Sequence, residues 1–285
     1  MQDRAPHLCN MNAAWDRAFP DCISDGAGRR KGTTLKWGLR TLATLPWAQD
    51  IGRGWSEADL RQLLTGSSHA LIVLDLPAGA PPLKELPKNT SVVLRHTRQS
   101  PLNRDKDPVL AWPSTRRKQF NRAEREGMTI EPCSDLSLLV DLHQAARLRK
   151  GITSDEQALR NLLQELLLEP NTHAWAVRQS TGEVLAGGVF HGAGDGRCIY
   201  GFGGQFRTGS PGASSRATVL LIGHAMRQAA QQGAETFDFG GSMDPGVDRF
   251  YAEFGAPTVA KQRLVRMAPI WRPILRWRRP DLFQS

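Results

Sequence analysis

Between residues 207 and 216 the chain gathers groups that can hold a phosphate. Arg207 and Arg216 bring charge, Gly209 and Gly212 let the backbone approach closely, and Ser210, Ser214 and Ser215 bring hydroxyl donors. A helical apolar pattern starts directly after them, with Val219, Ile222, Gly223, Met226 and Ala230 on one face. Small residues ahead of a helix leave its first amides open to an anion, although a glycine loop there is often an ordinary turn. No GK[ST] follows, so this is not a Walker loop, and no strand, GxGxxG and acidic residue line up as in a dinucleotide fingerprint. A second chemical group lies downstream. In Thr236-Phe237-Asp238-Phe239-Gly240-Gly241 the alternation of a strand turns Asp238 away from Phe237 and Phe239. The cluster Phe250-Tyr251-Ala252-Glu253-Phe254-Gly255 could close a pocket beside that strand end. Upstream, Lys118, Arg122 and Arg125 recur at i, i+4 and i+7, a basic stripe that is either a solvated face or an anion-binding one.

These residues need a frame, and the order of elements supplies one. His173–Arg178, Val184–His191 and Arg197–Phe202 read as three strands joined by turns at Thr181-Gly182 and residues 192–196, an antiparallel meander. The glycine loop, a helix stopped by Gly233 and the strand from Thr236 follow, so the last two strands are expected to be parallel with a right-handed crossover. Before the meander, a helix from Ser114 or Thr115 to Glu126 ends at Gly127, and Met128–Glu131 is a strand. Ser134 or Asp135 opens another helix, and Ser154 with Gln157 forms a capping box for a third carrying Leu159, Leu162, Leu163 and Leu166. Nearer the start, Ser56 opens a helix with Leu60, Leu63 and Leu64 on one face, and Ala70–Leu74 and Ser91–Arg95 are strand candidates. Pro132 marks the expected boundary between two units, residues 1–131 and 132–285.

The totals narrow the function classes. With 285 residues and an ordinary apolar fraction the chain can bury one large core or two modest ones. No apolar run reaches spanning length and the first residues lack a signal-peptide layout, so cytoplasmic residence is expected, with peripheral contact at the inner face of the membrane as an option. Cys9, Cys22, Cys133 and Cys198 form no CxxC pair and the histidines are dispersed, so no metal site is expected. The net charge of +9 favours anionic partners: nucleic acid, a phosphorylated cofactor or an anionic membrane. The tail Pro269–Pro280 interleaves Trp and Arg and could lie on RNA or on a membrane, or pack across the domain with its arginines solvated.

The C-terminal half resembles the GCN5-related N-acetyltransferase (GNAT) superfamily, and within it the Fem-type branch of peptidoglycan-bridge aminoacyltransferases. The resemblance rests on Phe237-Asp238-Phe239-Gly240-Gly241, on Phe250–Gly255, on the helix from Ser114 with its Arg116-Arg117-Lys118 start and, more loosely, on Leu45–Gly52. It implies an α/β fold with mixed sheets, as two GNAT-like units in tandem. It also implies amide formation on an amine acceptor, whether a small molecule, a peptide or a cell-envelope precursor. The donor would be acyl-CoA or aminoacyl-tRNA, a co-substrate rather than a tightly bound cofactor. Tyr251 stands where Fem-type proteins often carry a lysine, and the loop from Gln205 to Ala213 matches the CoA-loop pattern only loosely, so the donor stays open between the two. The expected mechanism is direct attack by the amine. Backbone amides around Tyr200–Gly204 would hold the acyl oxygen, Tyr251 would protonate the leaving group, and Asp238 would orient the amine or take its proton; the alternatives are a core aromatic beside Phe250 and Phe254 for Tyr251 and a cap on the Gly240-Gly241 bend for Asp238. Tyr200 joins these two as a site residue. Arg207, Gly209, Ser210, Gly212, Ser214, Ser215 and Arg216 would hold the donor, and Lys118, Arg122, Phe250 and Phe254 the substrate. From a different class stands a non-catalytic GNAT-fold binder of RNA or of an anionic membrane surface.

Overall fold

The computed structural model describes residues 14, 17–18, 23–24, 30–37, 40–44, 57–65, 71–151, 156–192, 195–207, 210, 212–241 and 244–278. The elements run β1 (Ile23–Ser24), β2 (Arg30–Trp37), β3 (Arg40–Thr44), α1 (Glu57–Thr65), β4 (Leu71–Asp75), β5 (Thr90–Pro101), α2 (Ser114–Arg125) and β6 (Thr129–Pro132). They continue with α3 (Leu136–Leu148), α4 (Glu156–Leu166), β7 (Thr172–Arg178), β8 (Val184–Gly192), β9 (Arg197–Gln205), α5 (Ala213–Gln231), β10 (Thr236–Asp238), α6 (Pro245–Ala252), β11 (Thr258–Met267) and α7 (Arg272–Arg278). The expected α/β class with mixed sheets is the observed one. None of the described helices is long and apolar enough to cross a membrane.

The chain divides into two compact units, one holding residues 98–257 with 1–14, the other 15–97 with 258–285. The boundary expected at 131/132 therefore falls inside a unit. The reason is pairing: β6 is hydrogen-bonded along β7 from Thr129↔Arg178 to Pro132↔Trp175, which ties the residues before Pro132 to the meander after it.

In the unit of residues 98–257 the strand order is β5–β10–β9–β8–β7–β6, with β5 contributing its last residues. The meander β7–β8–β9 is antiparallel and β10 runs parallel to β9, as the crossover through α5 requires. Asp135 caps α3, its carboxylate accepting from the Leu138 amide at 3.1 Å. Leu159, Leu162, Leu163 and Leu166 of α4 are completely buried, as their period demands; Ser154 lies outside the described residues. Gly127 sits at φ 70° and Gly233 at φ 88°, the left-handed stops expected of both. The core is continuous from Trp112 and Phe120 through Phe190 and Tyr200 to Phe237, Phe239 and Phe254.

In the other unit β11 lies between β4 and the first part of β5, and β1–β2–β3 form a small antiparallel sheet. Leu60 and Leu64 of α1 pack with Leu76 and Leu264. Arg263 makes a bidentate pair with buried Asp75 at 2.6 and 3.0 Å, the geometry a buried charge needs.

Candidate functional site

The βαβ unit sets the site. β10 pairs with β9 only from Arg197 to Ile199, so from Tyr200 to Gln205 β9 is held by β8 on one side. The register slips at this point: Phe190 faces Tyr200 and Val189 faces Phe202, which leaves Gly201 as a bulge. β9 then leads to α5, whose N-cap Gly212 takes φ 74°. The Ser214 hydroxyl donates to the Phe206 carbonyl, and Thr218 donates to Gln205 Oε1 at 2.9 Å. These bonds lock the start of α5 to the end of β9.

An open cleft of about 320 Å³ lies between α2 and the start of α5, lined by Thr115, Lys118, Gln119, Arg122, Gly212, Ser215 and Arg216. Five of the residues picked from sequence thus meet: Lys118 and Arg122 from the basic stripe, and Gly212, Ser215 and Arg216 from the glycine loop. Glu126 organises two of the cations, accepting from Arg122 Nε at 2.7 Å and Arg216 Nε at 2.8 Å. Burial pushes the Glu126 carboxyl up, but the Arg216 and Arg122 hydrogen bonds and charges outweigh it and hold it below its ordinary value. Three cations thus stand against one carboxylate at the positive end of a helix.

The remaining loop residues divide. Arg207 and Ser210 are exposed ahead of α5, and the Ser210 carbonyl accepts from the Ala213 amide at 3.2 Å. Gly209 lies outside the described residues. Ser214 is 8% exposed and its proton is committed to Phe206, so its hydroxyl is not a donor for the cleft.

The two tyrosines of the chain come together. Their rings lie 6.4 Å apart, with Tyr200 stacked on Phe190 at 4.7 Å and Tyr251 against Phe239 at 5.0 Å. Burial pushes both phenols up from their ordinary value, and the neighbouring Tyr200 adds to the shift of Tyr251. Both therefore stay protonated through the neutral range.

Asp238 is not presented to a substrate. It is 4% exposed; its Oδ1 accepts from the Gly240 amide at 2.8 Å and its Oδ2 from Gln99 at 2.8 Å, with buried Arg197 at 3.6 Å. Its carboxylate closes the Gly240-Gly241 turn, the capping alternative, and lies near Arg197, whose closer partner is Asp195 at 2.8 Å, which corrects the expected role in handling the amine's proton. The turn matters because Gly240, at φ 80°, presses against the Tyr200 carbonyl with no room for a side chain. Phe254 is also corrected from substrate contact to core: it is 2% exposed and packs on Trp112 at 4.8 Å. Phe250 is occupied by the Arg116 guanidinium, 4.3 Å from its ring centre.

Sequence reasoning missed Arg116, Gln99 and Arg197. Arg116 could be seen only as one of three consecutive cations, and no spacing rule links Gln99 or Arg197 to Asp238.

Residues 114–251 match the family model described as acetyltransferase (GNAT) domain, which spans the cleft, the parallel strand pair and Tyr251. The chain carries a GNAT domain. Among solved structures the fold is similar to that of FemX, at a TM-score of 0.59 and 15% identity over 89% of each chain. It is also similar to the C-terminal domain of a putative lysylphosphatidylglycerol synthetase from Agrobacterium fabrum, at 0.58 and 13% identity over 95% of this chain and 91% of that one. A conserved protein of unknown function from Bacteroides thetaiotaomicron scores 0.56 at 10% identity over 93% of each. No curated protein sequence matches the chain. The GNAT match over residues 114–251 supports reading the protein as an acyltransferase.

Proposed function

We propose that this GNAT protein forms an amide, moving an acyl or aminoacyl group from a phosphate-bearing donor to an amine. The observation that carries the reading is the α2–α5 cleft, where the cations of two separate elements converge at the start of α5. Either donor, acyl-CoA or aminoacyl-tRNA, brings phosphates to such a cleft. The reacting carbonyl would lie at the open end of β9, where the backbone beyond Ile199 is free of β10. An amide there that bonds to the developing oxyanion contributes a few kcal/mol to the transition state. The incoming amine attacks the carbonyl carbon, the bond to the thiolate or ribose oxygen breaks with Tyr251 giving that leaving group its proton, and the proton shed by the new amide nitrogen restores the Tyr251 phenol. Tyr200 packs beside it and keeps it in place. The acceptor is an amine on a small molecule, a peptide or a cell-envelope precursor; the neighbour named as a lysylphosphatidylglycerol synthetase supports an envelope-linked one.

The test is a donor panel. The purified protein is mixed with acyl-CoAs and with charged tRNAs, and thermal stabilisation and donor consumption are measured. Stabilisation by one donor class, lost in K118E/R216E, is expected; indifference to every donor would end the proposal.

The tail favours a second, non-catalytic reading as a binder of an anionic surface. Ile270 and Trp277 are 75% and 77% exposed, and Arg272 and Arg276 are exposed beside them. Co-sedimentation with anionic but not neutral vesicles, abolished by W277A/I270S, is expected if the tail touches a membrane. If RNA competes the protein off the vesicles, RNA is the partner instead. The reading becomes primary only if Y251F leaves biological activity intact.

A further inference from the structure

Arg116 heads the fully buried side chains of the described residues by size, at 2% exposed. A guanidinium taken out of water is costly unless charge and hydrogen bonds meet it. Its partners outside its own helix belong to one short segment. Nη2 donates to the Phe250 carbonyl at 3.1 Å and pairs with Glu253 at 2.6 Å, while the guanidinium carbon lies 4.3 Å from the Phe250 ring centre and 4.8 Å from that of Phe254. Tyr251 sits inside that bracket. On its own helix, Arg116 Nη1 donates to Gln119 Oε1, and Gln119 lines the α2–α5 cleft.

α6 has eight residues and none of them is fully buried. Few contacts therefore decide where it sits. Near its start Arg98 clasps Asp248 through two bonds of 2.7 Å. At its end the clasp is Arg116.

We propose that Arg116 is a positioning residue: it fixes the last turn of α6, holds the Tyr251 ring against Tyr200, and ties that position through Gln119 to the cleft. The inference rests on the reading of Tyr251 as the proton donor. A planar guanidinium both stacks on the two rings and bonds to the carbonyl and carboxylate at once; an ammonium does one or the other. Lysine is therefore a poor substitute despite its equal charge.

The chain has only two tyrosines, so protein made with isotope-labelled tyrosine gives two ring environments by NMR, and Y200F assigns them. In R116K and R116M the Tyr251 signal is expected to move or broaden, with the Tyr200 signal following less. With a working donor, kcat is expected to fall on the order of 10²-fold, the cost of a misplacement near 1 Å, while the donor KM stays close to its original value. A folded R116K with an unmoved Tyr251 signal, or with its loss confined to KM, overturns the proposal. If neither arginine variant folds, E253Q and Q119L take their place: both are expected to shift the Tyr251 signal, and two unmoved signals overturn it. If the wild type consumes no donor, the proton-donor reading fails, and the tyrosine signals still decide whether Arg116 holds the ring.

Discussion

His143 gives the sharpest physical test of this structure. It lies on α3 with its ring against Phe202 at 5.5 Å, and neither ring nitrogen makes a well-formed hydrogen bond. Burial first, then the charges of Arg147 and Lys150, push its pKa down from 6.5 to about 4, against an upward pull from the Gly203 backbone. Protonation is thus easier in the unfolded chain. Above pH 6.5 the ring is neutral in both states and costs nothing. As pH falls below 6.5, the unfolded chain takes up a proton that the folded one refuses, and stability drops until about pH 4. Near pH 5 the linked loss is about 2 kcal/mol, from RT times the logarithm of the two binding polynomials. Over the whole window it approaches ~3 kcal/mol, at about 1.4 kcal/mol per unit.

The assay is urea unfolding of wild type and H143Q at about pH 8 and about pH 5, linked by the same extrapolation. Carboxylates titrate alike in both proteins and cancel in the double difference. The wild type is expected to lose about 2 kcal/mol more than H143Q between the two conditions. Equal losses would refute the reasoning, because they would mean that the ring is solvated or paired in the native protein.

Four further outcomes follow from the site. Y251F should lower turnover by roughly 10²-fold or more, the usual weight of a general acid, with donor affinity nearly unchanged; steady-state kinetics checks it. The native protein should show no tyrosinate absorbance as pH rises through about 10, since both phenols are raised, and urea should release it at once. D238N should act on stability rather than on a catalytic pH profile, costing about 1–3 kcal/mol in denaturation, because it weakens the hold on the Gly240 amide and on Arg197. G240A should cost at least ~1 kcal/mol for a left-handed backbone alone, and more because the new methyl meets the Tyr200 carbonyl.

What could be read beforehand was whatever local rules govern. The meander, the crossover helix and the parallel return all follow from period, turn glycines and handedness, and each was found where expected. The cleft was half legible for the same reason: a basic stripe on one helix and a glycine loop before another are local patterns, though only the fold could say that they face each other. The surroundings of Asp238 and the role of Arg116 were out of reach because their meaning is non-local. An aspartate flanked by aromatics at a strand end has the same signature whether it meets a substrate or a buried arginine 41 positions away in the chain, and Arg197 announces nothing. An arginine in an RRK run looks solvated until an aromatic pair 134 and 138 residues later closes over it. Charged residues in such a chain are first read as tools for binding, yet burying one demands partners, and those partners fix the elements that carry the chemistry. Asp238 and Arg116 each bear on the tyrosine pair in this way, one by closing the turn against the Tyr200 carbonyl and the other by clamping the helix of Tyr251. Loss of either should therefore disturb the tyrosine pair before it disturbs the cleft.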